Sequence, residues 1–100
     1  MTDRTERPLP AWIDRSQVVT VRGFLEDVGW PAQDMSRAVV QCGRAIFDRY
    51  RKVRGRDPYT LRMNGNGPVK VYEEADWPLM GQAFRLWSAR DRAKQTSKLK

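Results

Sequence analysis

Apolar residues recur at Met35, Val39, Cys42, Ile46, Tyr50 and Val53, in steps of three and four that predict one buried side of a helix over 34–53. The opposite side reads Arg37, Gln41, Arg44, Asp48 and Arg51, and the three arginines, seven residues apart, project along nearly one line. Gly55 and Asp57-Pro58 end this helix. Upstream, Val18, Val21, Phe24, Leu25 and Val28 predict a first helix over 17–28, capped by Ser16 and closed at Gly29. The β-branched run Val18-Val-Thr-Val would also sit comfortably in a short strand, which leaves the Phe24 to Val28 half as the securely helical part. Trp30-Pro31 then breaks the chain.

Downstream, Tyr59-Thr-Leu-Arg-Met and Val69-Lys-Val-Tyr alternate around Asn64-Gly-Asn-Gly, the chemistry of a hairpin turn. Opposing Leu61 to Val69 and Tyr59 to Val71 makes one face apolar and puts Thr60, Arg62 and Lys70 on the other. That register demands an odd loop, of three or five residues, with a Gly or Asn in the left-handed conformation. Because an isolated hairpin is unstable, its apolar face is expected to lie on the helices, with the basic face outward. Glu73-Glu-Ala-Asp-Trp-Pro introduces a last helix, with Asp76 or Trp77 as its cap and Pro78 in its first turn. Met80, Ala83, Phe84 and Trp87 form its buried stripe, and after Ser88 the apolar content collapses.

The pattern predicts an α+β fold, mostly helical: three helices plus a two-stranded antiparallel hairpin, arranged like a winged helix-turn-helix. Residues 1–14 form an extended N-terminal strap, loose up to Arg7, whose Leu9, Trp12 and Ile13 lie across the core. Residues 15–89 form a single domain with the hairpin at 59–72 as a wing, and residues 90–100 a basic tail that either frays or lies on a polyanion.

Charge changes the picture more than composition does. The formal net charge is +7, and residues 1–50 carry seven Lys/Arg and seven Asp/Glu whereas residues 51–100 carry twelve and five. A basic half attracts phosphate-rich surfaces and releases their counterions on binding. Fourteen Arg against five Lys favour planar, bidentate contacts.

The remaining chemistry is sparse. With no His and a single cysteine, Cys42 on the apolar helix side, the usual zinc sites cannot be built and an internal disulfide is excluded; a reducing compartment is the easier reading. No base stands near a candidate nucleophile, and Glu73, Glu74 and Asp76 are explained by the start of a helix. Gly65-Asn-Gly-Pro joins two strands and lacks the Lys-Ser/Thr of a phosphate loop. These absences argue against an enzyme, a metal site or a cofactor. No apolar run reaches a membrane span and residues 1–14 lack the core of a signal peptide, so a cytoplasmic protein with no membrane partner is expected.

From Phe47 to Tyr72 the chain reads Phe-Asp-Arg-Tyr-Arg-Lys-Val-Arg-Gly-Arg-Asp-Pro, then the hairpin, then Val-Tyr. This resembles small winged-helix-like regulatory and antirepressor-type proteins of actinobacteria and their phages, in which a Tyr-Arg helix end precedes a hairpin and another Tyr. The resemblance implies a phage or bacterial regulator that touches nucleic acid at Arg51, Arg54, Arg62 and Lys70.

The functional expectation is a DNA-binding regulatory protein. Arg37, Gln41 and Arg44 would reach base edges, while Arg51, Lys52, Arg54, Arg62 and Lys70 would contact phosphates of double-stranded DNA. The alternative is a phage-encoded interaction module, an antirepressor or inhibitor of a host factor, using an aromatic patch around Trp12, Trp30, Trp77 or Trp87. Oligomeric state stays open, a homodimer included.

Overall fold

The hairpin is part of a larger sheet. In the computed structural model, which describes residues 8–62 and 68–98, the order is β1 (Val18–Thr20), α1 (Val21–Asp27), α2 (Met35–Arg54), β2 (Tyr59–Arg62), β3 (Pro68–Glu73) and α3 (Trp77–Lys98). The three strands form one antiparallel sheet in the order β1-β3-β2. The β-branched alternative therefore prevails at Val18–Thr20: Val18 opposes Glu73 and Val19 opposes Tyr72, so the two-stranded hairpin is a three-stranded sheet. The first helix consequently starts at Val21 rather than Gln17, and Thr20 caps it by accepting the Gly23 N–H at 3.0 Å. Ser16, the expected cap, donates its N–H to Asp14 in the preceding turn. Gly29 closes α1 with a φ of +83°, where glycine alone is unstrained, and the Trp30 N–H reaches back to the Leu25 carbonyl at 2.9 Å.

The hairpin register is the expected one: Tyr59 opposes Val71, Leu61 opposes Val69 and Arg62 opposes Pro68, leaving the five residues 63–67 as the loop. The expected left-handed Gly or Asn lies outside the described residues. The orientation of the faces is the reverse of expectation. Tyr72 packs edge-on against Tyr50 of α2 at 5.4 Å, and the Lys70 ammonium lies 5.0 Å from the Phe47 ring centre. By alternation along the strand, Val71 points to the other face, where it is buried outside the helix core. Two large rings, Tyr50 at 2 % and Tyr72 at 1 % exposure, are thereby buried between α2 and the sheet, the kind of aromatic burial that favours this orientation.

The strap also differs. Instead of crossing the core it extends the sheet: the Leu9 N–H donates to the Thr60 carbonyl at 2.9 Å and Pro8 bridges Thr60 in parallel, covering the edge of β2. Trp12 stands 80 % exposed.

The main core lies between α1, α2 and α3. Met35, Ala38, Cys42, Ile46 and Tyr50 form the buried stripe of α2, with Val39 at its flank. Val53, placed on that stripe by its spacing, is 54 % exposed because the helix outruns the core in its last turn. Phe24 meets Trp77 at 4.9 Å and Phe84 at 5.6 Å, and Trp30 meets Trp87 at 5.0 Å, mostly edge-on or tilted as ring quadrupoles prefer. Asp76 sits where α3 begins and closes a reciprocal cap with Glu73, accepting its N–H at 3.1 Å. From Trp77 the helix runs unbroken to Lys98, so the basic segment from residue 90 continues a helix. None of the described helices is long and apolar enough to cross a membrane.

Candidate polyanion-binding surface

The predicted arginine stripe of α2 is divided by its partners. Near the start of the helix, Arg37 donates to both oxygens of Asp34 (2.9 and 2.7 Å) and to both oxygens of Asp91 on α3 (2.8 and 3.0 Å). It also donates to Gln41 at 3.1 Å and lies over the Trp87 ring, while Asp34 accepts the Trp30 indole N–H at 3.1 Å. Five side chains from the Trp30 turn, α2 and α3 thus form one polar clamp over the aromatic core. Asp91 is 9 % exposed, and a carboxylate that dry needs such a partner. Arg37 hydrogen bonds hold the Asp34 carboxyl below its usual range, and the Asp34 and Asp91 bonds in turn push the guanidinium pKa up.

The far end of α2 repeats the arrangement. Arg54 donates through Nε and Nη2 to one oxygen of Asp76 at 3.0 and 2.7 Å, and Asp76 is 4 % exposed. Its other oxygen holds the Glu73 cap, so Arg54 fastens the end of α2 to the start of α3. Arg51 pairs with Asp57 at 3.0 Å and lies over Phe47; both partners of that pair are well exposed.

These contacts divide the expected site residues by the internal partners they have among the described residues. Arg37 and Gln41 are engaged with each other and with the clamp, which leaves Arg44 as the base-edge candidate with no carboxylate partner among the described residues. The phosphate candidates are all exposed; of these, Arg54 and Arg51 have carboxylate partners and the Lys70 ammonium lies over Phe47 of α2. The eight residues also do not share one surface. Lys70 belongs to the flank of α2 that faces the sheet, and Lys52 to the flank that faces α3. The carboxylates responsible come from other elements, at distances in sequence that spacing within α2 cannot reveal.

The structure brings Arg44 beside two cations that the sequence placed in the tail. A furrow of about 340 Å³ between α2 and α3 is lined by Val40, Arg44, Trp87, Arg90, Asp91 and Lys94, together with Gln41. Arg44, Arg90 and Lys94 are exposed and meet no carboxylate among the described residues. Asp91, the acid in the furrow, is already taken by Arg37. A wider depression continues along the same two helices past Arg90 to Lys52, where Asp48 is the acidic group. The missed residues carry a readable signal: Asp91 extends the predicted stripe of Met80, Ala83 and Trp87 by a helical step, and Arg90 and Lys94 are four apart on one side.

The other candidates for chemistry are structural. Cys42 is fully buried, and burial pushes its thiol up to about 12, so it stays a neutral thiol near pH 7. Trp30, Trp77 and Trp87 pack in or against the core, so the expected aromatic patch reduces to Trp12. Compared with known protein families, characterised proteins and solved structures, the chain matches none.

Proposed function

We propose that the chain is a non-enzymatic, nucleic-acid-binding regulatory module that grips the phosphate backbone of double-stranded DNA through the α2–α3 furrow, a role that would place it in the cytoplasm. The observation that carries this reading is the convergence of Arg44, Arg90 and Lys94 on one furrow whose carboxylate is already neutralised. Cations without internal partners are those available to replace counterions on a polyanion. In a winged helix-turn-helix docking, α2 would enter the major groove. With Arg37 and Gln41 committed to the clamp, Arg44 alone remains for base edges there, so backbone contact is the better supported mode.

The test is fluorescence anisotropy with a short labelled duplex of arbitrary sequence, titrated at several salt concentrations. Three phosphate contacts predict a slope of log K against log salt of about −3. Charge reversal by Arg44→Glu, Arg90→Glu and Lys94→Glu together should abolish binding. Salt-insensitive binding, or none at low salt, would overturn the proposal. It would favour a protein-interaction module, the antirepressor or inhibitor reading, for which the exposed Trp12 of the N-terminal strap is the anchor.

A further inference from the structure

The other flank of α2 carries a third concavity, walled by Val21 at the start of α1, Val39, Val40 and Phe47 on α2, and Tyr72 on β3. Its volume, about 590 Å³, falls within the roughly 300–1,000 Å³ of small-molecule sites. Gly43 makes this space. The groove floor carries no side chain at this position, and a Cβ there would stand in ordinary contact, 3.8 Å, with a Val21 methyl.

The rim is cationic. Arg22, Arg44 and Lys70 line the groove, none meets a carboxylate among the described residues, and no Asp or Glu lines it. Phe47 lies between the Lys70 ammonium, 5.0 Å from its ring centre, and the Arg51 guanidinium at 5.7 Å. Hydrocarbon walls alone would accept any apolar body, and low-dielectric walls concentrate the field of a one-signed rim. Charge complementarity therefore selects an occupant with an apolar body and a single anionic end.

We propose that this groove binds a small amphipathic carboxylate, its hydrocarbon against Val21, Val39 and Phe47 and its carboxylate at the rim formed by Arg22, Arg44 and Lys70. The guanidinium of Arg44 offers a planar fork matched to a carboxylate, and Lys70 a point charge. The site stands independently of the nucleic-acid reading, because the α2–α3 furrow lies on the opposite flank and only Val40 and Arg44, on the ridge between, line both.

The test is a backbone-amide NMR titration of the full chain with decanoate below its micelle concentration, beside decanol and decyltrimethylammonium. Saturable decanoate shifts confined to Val39–Phe47, Val69–Tyr72 and the start of α1 are expected. Decanol should bind about tenfold more weakly, and the cationic analogue not at all. The surface reversal Arg22→Glu with Lys70→Glu should weaken decanoate about tenfold while leaving the thermal transition in place. Gly43→Met, which fills the floor, should block binding if it folds; the reversal pair decides the matter if it does not. Equal affinity for decanol and decanoate, shifts outside the groove, or no saturation would overturn the proposal. So would concentration-dependent shifts without ligand, which would assign the groove to a second copy, or saturation by an acidic amphipathic peptide that decanoate fails to displace.

Discussion

The ends of α2 and its middle carry the same residue type and have opposite fates. Arg37 and Arg54 each lie across a carboxylate that the fold has dried, Asp91 at 9 % and Asp76 at 4 % exposure. Arg44, midway between them, meets no acid among the described residues and lines depressions on both flanks. What separates them is α3. Its start and its later turns deliver a carboxylate to each end of α2, while Arg90 and Lys94 bring two more cations toward the middle. A helical stripe of arginines thus predicts a shared direction and not a shared role; the role is set by the charge that arrives from elsewhere.

That contrast can be broken most forcefully at Asp76. Asp76→Ala removes both the Arg54 partner and the acceptor of the Glu73 cap, and should cost about 3 kcal/mol of stability, since the pair is about a third open to water on the arginine side. Chemical denaturation measures it; a loss within error would mean the end clamp is a surface pair. Next comes Arg37→Ala, which strands Asp91 and should cost about 2 kcal/mol, with Asp91→Asn recovering part of the loss in the double variant.

A smaller effect sharpens the same contrast through pH. The folded Asp34 carboxyl lies below its unfolded value of 3.8, held there chiefly by Arg37, so the unfolded chain takes up the proton first as pH falls. Its contribution is whole above about pH 4 and drains away as pH drops through the folded value. Wild type should therefore lose melting temperature more steeply below pH 4 than Asp34→Asn does; parallel curves would remove Asp34 from the clamp. Asp14, lowered by the Ser16 N–H, titrates in both proteins and cancels in the comparison. The smallest change in stability is expected in the middle: Arg44→Ala with Arg90→Ala should alter it by less than about 0.5 kcal/mol, yet reduce the salt slope of duplex binding by about two.

Local patterns were readable wherever one face decided the outcome. The hairpin register follows from Leu61 opposite Val69 and Tyr59 opposite Val71, because a one-residue slip would mix the faces. Which face meets the helices did not follow, since Val69 and Val71 look more apolar than Lys70 and Tyr72 while the tyrosine ring carries more area. β1 was visible as a β-branched run, but its partner β3 lies some fifty residues on and no local signal names it. Within the candidate site, Arg44 was legible from helical spacing. Arg90 and Lys94 were hidden by reading the polar segment after Ser88 as a tail, where the stripe continues through Asp91 as a buried carboxylate instead of an apolar residue.

The most direct test compares Arg37→Gln with Arg44→Gln, measuring melting temperature and duplex affinity on the same preparations. The account predicts a crossed result: Arg37→Gln melts several degrees lower and binds DNA nearly as wild type while folded, whereas Arg44→Gln melts as wild type and binds about tenfold more weakly. If Arg37→Gln is the variant that loses DNA at an unchanged melting temperature, the division between the ends of α2 and its middle is wrong.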